Sequence, residues 1–411
     1  MYVTGIGLLA PNGIGLEEHW RATLNGRTGI GELTRFDTSG YPIRLAGQID
    51  EFDPAEHLPG RLLPQTDVST RYALVAADWA LGGAELARDD YADYEMGVIT
   101  ANAAGGFEFT HREFKKLWSD GPAAVSVYES FAWFYAVNTG QISIRHGMRG
   151  PGSAVVAEQA GGLDAIGHAR RAVLRGTPLV LTGGVDSAFD PWGWASQIAG
   201  GRLSPSTSPE HAYAPFSATA NGCVPGEGGA VLVFESAETA LRRGAPRIYG
   251  EIAGHGCTFD PPPGVPRPPG LRRAAELALA DAGVEPEQVD VVFADAAGTP
   301  ELDRAEAAAI AELFGPFEVP VTAPKALIGR LYSGAGPVDV ATALMSIAEG
   351  VVPPTATAVQ PPADYAIDLV RGEPRHGPIR TALVLARGKW GFNAAVVVRA
   401  APGRPSDLPR S

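Results

Sequence analysis

The stretch "VVAEQAGGLDAIGHARR", Val155 to Arg171, decides the fold of this chain. A short apolar run leads into a sharp turn, and the turn leads into a helical pattern at 162–176. Many acyl-transfer enzymes present their nucleophile at such a bend, but the residue here is Gln159, whose amide has no ionisable proton and forms no acyl-enzyme. The stretch therefore predicts the backbone of an acyl-transfer site without its nucleophile.

The rest of the chain alternates between strand and helix patterns. Short apolar runs bounded by glycine or turn residues predict buried strands at 96–100, 153–157, 178–184, 229–235 and 289–294. Helical patterns lie at 69–86, 162–176, 271–283 and 304–315, and residues 381–400 predict two further β segments joined by a turn. This alternation indicates a layered α/β protein with buried sheets.

The order of these patterns also predicts the domain organisation. A proline-rich loop at 259–270 falls between two parts that each contain strand, helix and strand. We therefore predict an N-terminal half at 1–244, a C-terminal half at 245–400 and a flexible tail at 401–411.

Composition excludes several classes of function. A formal net charge of -13 over 411 residues argues against a nucleic-acid partner, because phosphate backbones select basic surfaces. No basic leader precedes an apolar run at the start and no apolar run of membrane-spanning length follows, so we expect a cytoplasmic protein with no membrane partner. Cys223 and Cys257 are far apart in the sequence, which predicts two buried thiols rather than a metal site or a disulfide.

One motif suggests a cofactor and is rejected. The segment "GIGLLA", Gly5 to Ala10, fits the dinucleotide pattern G-x-G-x-x-A. That pattern must open a helix, but Pro11, Asn12 and Gly13 follow at once and break one. We therefore expect no cofactor, and we assign the two glycines to a turn after the first strand.

Four segments together carry a resemblance to a known family. They are the opening stretch, "VPGEGGAVLVFE" (224–235), "DAAGTPELDRAE" (295–306) and "APKALIGRLYSGAG" (323–336). With these segments the chain resembles the β-ketoacyl synthases over nearly its whole length. The resemblance implies the thiolase fold, in which duplicated βαβαβαββ halves form a five-layer αβαβα sandwich.

The chain departs from that family at each catalytic position. The resemblance implies a nucleophilic cysteine at the elbow and two later histidines, and the matching positions hold Gln159, Ala297 and Arg330. Without a thiolate to take the acyl chain and without imidazole donors for the enolate, we expect no condensation by this chain alone. Glu306 and Lys325 match a Glu and Lys pair of the family, and we interpret them as a structural ion pair.

One branch of the family shares this signature. With "DPWGWASQIA" (190–199), "TFDPPPG" (258–264) and "GRLYSGAGP" (329–337), the chain is similar to the chain-length factors, or ketosynthase β subunits, of bacterial aromatic (type II) polyketide synthases. The resemblance implies a heterodimer with a catalytic ketosynthase α subunit, an acyl carrier protein that delivers malonyl units, and a polyketide chain in a shared tunnel. We expect residues 130–160 to form part of the dimer interface. The alternative is a glutamine-type decarboxylase that primes synthesis from malonyl-carrier protein.

The resemblance also implies a set of residues that close the tunnel. They are Phe107, Thr110, Phe114 and Phe131. The first three are spaced three and four residues apart and so share one face of a helix. Bulky rings at a tunnel end imply a shorter product, and we predict an octaketide. The alternative interpretation is an ordinary apolar core stripe.

Overall fold

The computed structural model describes residues 1–87, 90–262, 264–357 and 359–401. The predicted tail, beyond Ala401, lies outside the described residues. The strands of the described residues are β1 (Tyr2–Ala10), β2 (Gly13–Ile14), β3 (Ile30–Glu32), β4 (Leu45–Gly47), β5 (Met96–Ala101), β6 (Gly152–Val155), β7 (Leu179–Asp186), β8 (Gly228–Glu235), β9 (Gly250–Phe259), β10 (Val291–Phe293), β11 (Pro320–Thr322), β12 (Val351–Val352), β13 (Asp368–Leu369), β14 (Arg375–His376), β15 (Thr381–Arg387) and β16 (Phe392–Arg399). The α-helices are α1 (Leu16–Leu24), α2 (Val68–Gly83), α3 (Phe107–Asp120), α4 (Glu129–Ala132), α5 (Val137–His146), α6 (Gly161–Leu174), α7 (Pro191–Ala199), α8 (Pro209–Ala212), α9 (Ala237–Arg242), α10 (Leu271–Ala282), α11 (Pro300–Phe314) and α12 (Ala335–Glu349).

The strand order repeats between the two halves of the chain. In the first half β6, β5 and β7 are parallel, and β8 and β1 continue the sheet antiparallel. In the second half β11, β10 and β15 are parallel, and β16 and β9 continue antiparallel in the same way. A short pairing of Tyr2 with Glu251 joins β1 to β9. The duplicated architecture confirms the predicted fold, while the domain boundary near residue 245 stays a prediction.

Two helices fill the space between the halves. Every residue of α12 from Ala335 to Ile347 is buried, which is the pattern of a helix enclosed on all sides. It packs with α6 and with strands of both halves, while α2 and α10 cover the outer faces of the two sheets. Although α12 is apolar, no helix of the described residues has both the length and the apolarity that a membrane crossing requires.

The prediction that the two glycines of "GIGLLA" form a turn is wrong. Gly5 and Gly7 lie inside β1 rather than in a turn after it. A Cβ atom would come within 2.0 Å of the Ala80 carbonyl oxygen at Gly5 and within 1.9 Å of the Ala76 carbonyl oxygen at Gly7. Glycine is therefore required because α2 lies directly on this strand.

Candidate functional site

The predicted bend at Gln159 forms as a tight turn between β6 and α6. Gln159 lies in the 3-10 turn Glu158–Ala160, and the residue before it, Glu158, has a positive φ of 49°. The Gln159 side chain is 1% exposed, and neither its amide oxygen nor its amide nitrogen has a hydrogen-bond partner among the described residues. A buried amide without partners costs free energy, so this residue is held in place by the fold at some cost to stability.

The two positions where the resemblance implies histidine hold different chemistry. Ala297 is buried and donates no hydrogen bond through its side chain. Arg330 is fixed, because one guanidinium nitrogen lies 3.0 Å from Asp295 Oδ1 and the other donates to the Asp295 carbonyl oxygen at 3.0 Å. A charged donor that is already engaged by a carboxylate therefore stands where the resemblance implies a neutral imidazole.

Asp295 is the centre of a buried charge network. Burial acts to raise the pKa of Asp295, but the charges of Arg330, Arg387 and Lys325 overcome it and hold that pKa at about 2. The backbone N–H of Arg387 donates to Asp295 Oδ1 at 2.8 Å, which adds to the same effect. The carboxylate is therefore ionised and shared between two guanidinium groups.

The predicted ion pair between Glu306 and Lys325 is wrong in its pairing. Glu306 lies 3.0 Å from an Arg387 guanidinium nitrogen and accepts the backbone N–H groups of Asp295 and Ala296. Lys325 lies 2.6 Å from Asp339 of α12 and donates to the Ala294 carbonyl oxygen. Both residues are buried charges. Each pairs with a residue of another element, since Arg387 lies on β15 and Asp339 lies on α12.

A cavity of about 130 Å³ lies beside this network. Ala297 and Arg330 line it together with Tyr332 and Cys223, but Gln159 is not among its lining residues. Burial raises the pKa of the Cys223 thiol to about 11, so this thiol is protonated and unreactive. The structure thus brings two of the three catalytic positions to one cavity and leaves the elbow amide outside it.

The four residues of the implied gate lie on two short helices. Phe107 and Phe114 of α3 both contact Trp192 of α7, with ring centroids 5.0 and 5.9 Å apart. Thr110 is buried beside Glu129, and Phe131 of α4 contacts Tyr128 at 6.0 Å. Two of the three rings therefore share one aromatic neighbour, while Thr110 lies next to α4 and Phe131 belongs to it.

Trp192 was missed in the sequence. The segment "WGW" carries two tryptophans, of which Trp194 is fully buried and Trp192 is 44% exposed. Two tryptophans this close in the sequence do not by themselves indicate which of them is buried. Only the structure shows that Trp192 joins Phe107 and Phe114.

Several large apolar side chains of the first half are exposed. We call the following residues the exposed apolar group: Trp118, Val127, Trp133, Phe134, Tyr135, Ile144, Val156 and Trp192. Val156 directly follows strand β6, which ends the sheet and pairs only with β5 among the described strands. An apolar edge of this type is a pairing surface.

The thiols only partly match their prediction. Cys223 is buried, but Cys257 of β9 is exposed.

The duplicated fold and the elbow define a scaffold of the condensing-enzyme class. Sequence comparison places the chain within that class. The family described as "Beta-ketoacyl synthase, N-terminal domain" matches residues 1–240, and "Beta-ketoacyl synthase, C-terminal domain" matches residues 249–358.

The most similar relatives cover nearly the whole chain. A Streptomyces coelicolor sequence named as β-ketoacyl synthase 2 of the actinorhodin polyketide is 66% identical over 97% of this chain and 98% of its own length. The tetracenomycin polyketide synthase ketoacyl synthase β subunit of Streptomyces glaucescens is 59% identical over 97% of each chain. The chain therefore belongs to the β-ketoacyl synthase family, in the branch of the polyketide synthase β subunits.

Solved structures agree with this assignment. The ishigamide ketosynthase/chain length factor superposes with a TM-score of 0.88 at 27% identity, over 97% of this chain and 98% of that one. A type II polyketide synthase acyl carrier protein in complex with its ketosynthase gives a TM-score of 0.86 at 26% identity, over 97% and 98%.

Proposed function

We propose that this chain is the noncatalytic β subunit of a minimal type II polyketide synthase, in which it pairs with a ketosynthase α subunit and sets the length of the polyketide. The observation that carries the proposal is the state of the three catalytic positions. Gln159 has no nucleophilic atom, Ala297 has no donor, and Arg330 is held by Asp295, while the surrounding fold is intact. A scaffold kept without its chemistry fits a subunit that works beside a catalytic partner.

The pairing with an α subunit rests on the exposed apolar group and on strand β6. A β edge with half-exposed residues from Ser153 to Val155 and an exposed Val156 is an aggregation hazard unless another chain covers it. Obligate interfaces bury large apolar areas of this kind. The α subunit would supply the cysteine and both histidines, and the acyl carrier protein would deliver malonyl units to that subunit.

Control of chain length rests on the rings around Trp192. Phe107 and Phe114 are only partly buried in this chain, so a ketosynthase partner could complete the wall of a tunnel that ends there. Thr110 and Phe131 would contribute the neighbouring wall from the α3 and α4 side. A volume filled by rings cannot accept a further two-carbon unit, and we propose an octaketide as the product.

The proposal is tested by reconstitution. The chain is co-expressed with its cognate ketosynthase α subunit, and the complex is supplied with malonyl-loaded carrier protein. We expect the two subunits to co-elute, the isolated chain to form no acyl-enzyme, and the complex to release a sixteen-carbon poly-β-ketone by mass. Condensation by the isolated chain, or a stable monomer that ignores the α subunit, would contradict the proposal.

A second candidate function is decarboxylation of malonyl-carrier protein to make the acetyl primer. The observation that favours it is the amide nitrogen of the buried Gln159, which has no acceptor among the described residues and could donate to a thioester enolate. Against it stands the missing donor at Ala297. The Gln159→Ala complex separates the two functions, since unchanged release of carbon dioxide from malonyl-carrier protein excludes the decarboxylase and a large loss supports it.

A further inference from the structure

A second cluster of reactive side chains lies away from the cavity, between α6 and β9. Asp164 and His168 are one helical turn apart on α6 and share a face of that helix. His255 and Cys257 are two residues apart on β9 and share a face of that strand. The residue between them, Gly256, faces α10, where a Cβ atom would lie 2.2 Å from the Ala274 carbonyl oxygen.

The two elements bring their donors close together. One ligand atom from each of Asp164, His255 and Cys257 lies within 4.8 Å of the other two. His255 Nε2 is 3.1 Å from Asp164 Oδ1. Tetrahedral zinc with bonds of 2.0 to 2.3 Å needs ligand atoms roughly 3.3 to 3.8 Å apart, so a small closure brings the three atoms to coordination distance.

The His255 ring is held in place by a glycine of the opposing helix. A Cβ atom at Gly167 would lie 2.4 Å from the His255 ring, so the space above this glycine holds the imidazole. The residue is 8% exposed, while Cys257 is open to solvent. The site thus combines a fixed ligand with an entry path, as a metal site requires.

We propose that Asp164, His255 and Cys257 bind a zinc ion, with a water molecule in the fourth position. A thiolate, a carboxylate and a neutral imidazole are ligand types that zinc selects, and together they balance the charge of the ion. No spacing along the chain indicates such a site, because Asp164 and His255 are 91 residues apart.

Arg171 is the main obstacle to a cation at this place. One of its guanidinium nitrogens lies 3.4 Å from His255 Nδ1. Because the residue is exposed, its side chain can leave the cluster when an ion enters. The proposal therefore expects Arg171→Ala to bind zinc at least as tightly as the unaltered chain.

The experiment uses the untagged full chain in the assembly in which it purifies. The protein is loaded with zinc chloride and dialysed, and zinc is counted per chain by elemental analysis. We expect about one retained zinc and a loss of affinity of at least about tenfold in Cys257→Ser and in His255→Gln, since even outer-shell changes cost that much. Cys223→Ser and His211→Gln are the matched controls and should retain the ion.

Because His255 is buried, its variant could fail to fold, and a measurement on the unaltered chain guards against this. Zinc should slow alkylation of the exposed Cys257 thiol by iodoacetamide, and magnesium should not. The proposal would be overturned if the unaltered chain lost its zinc on dialysis, or if Cys257→Ser retained as much zinc as its control. It would also be overturned if Arg171→Ala failed to bind zinc, or if zinc did not change the rate of alkylation.

Discussion

The charge network around Asp295 and the exposed apolar group are opposite in character. The network is buried and charged, and each of its groups has several partners from the second half of the chain. The exposed apolar group is open and aromatic, and it belongs to the first half. The first region includes Arg330, one of the two positions where the family resemblance implies histidine, while the second region is open to solvent.

The two regions therefore point to different roles. A buried network of ions is costly to break, so the charges around Asp295 hold the interior together. Large apolar side chains on a surface lower solubility unless they bind something. The exposed apolar group is therefore the better guide to what the chain does.

The largest effect is expected from the interior. Asp295→Asn removes the carboxylate that Arg330 and Arg387 share, and breaking a buried ion pair in this way should lower the free energy of unfolding by about 3–5 kcal/mol. Urea unfolding at fixed protein concentration measures it. The control is Glu238→Gln, which breaks an exposed helical pair with Arg242 and should change little. Equal stability of the two variants would refute the network's structural role.

The next effect concerns the surface. Ile144→Glu and Val156→Glu should leave the fold intact, because both side chains are exposed, but should weaken binding to the α subunit by roughly 2 kcal/mol or more. Association measured by analytical ultracentrifugation gives the change. Leu241→Glu is the matched control, an exposed apolar residue on α9 outside the exposed apolar group. If all three variants bind alike, the interface lies elsewhere.

The smallest effect is expected at the elbow. Gln159→Cys restores a thiol at the start of α6, but Ala297 still offers no donor and Arg330 is still bound to Asp295. Groups that act as a unit do not recover activity one at a time, so we expect no condensation by the isolated variant. Condensation of malonyl units by the isolated variant would contradict this expectation.

Most of the fold could be predicted from the sequence, because buried parallel strands are continuous apolar runs. The strands at 96–100, 178–184 and 229–235 were placed within a few residues. Strand β1 was misjudged at Gly5 and Gly7, whose lack of a side chain serves helix packing and hides the strand pattern. Helix α12 has no amphipathic pattern in the sequence, because it is buried on all sides and has no polar outer face.

Only the part of the candidate site that lies in recognisable sequence motifs could be predicted. The absence of cysteine and histidine at 159, 297 and 330 is visible in the sequence itself. The partners of Glu306 and Lys325, the position of Trp192 and the cluster at His255 depend on contacts between distant segments. Spacing along the chain carries no record of such contacts.

We propose that the rings around Trp192 set the length of the product. The direct test is the mass of the polyketide made by the α subunit with the Phe107→Ala, Phe114→Ala double variant. Removing two rings should open room for at least one further two-carbon unit and shift the product from an octaketide toward longer chains. Phe109→Ala is the control on the same helix. Phe109 is 1% exposed, so its replacement should lower the free energy of unfolding by about 3–5 kcal/mol. This loss of stability should reduce the yield of polyketide without changing its length. An intact complex of the double variant that still makes an octaketide would contradict the account.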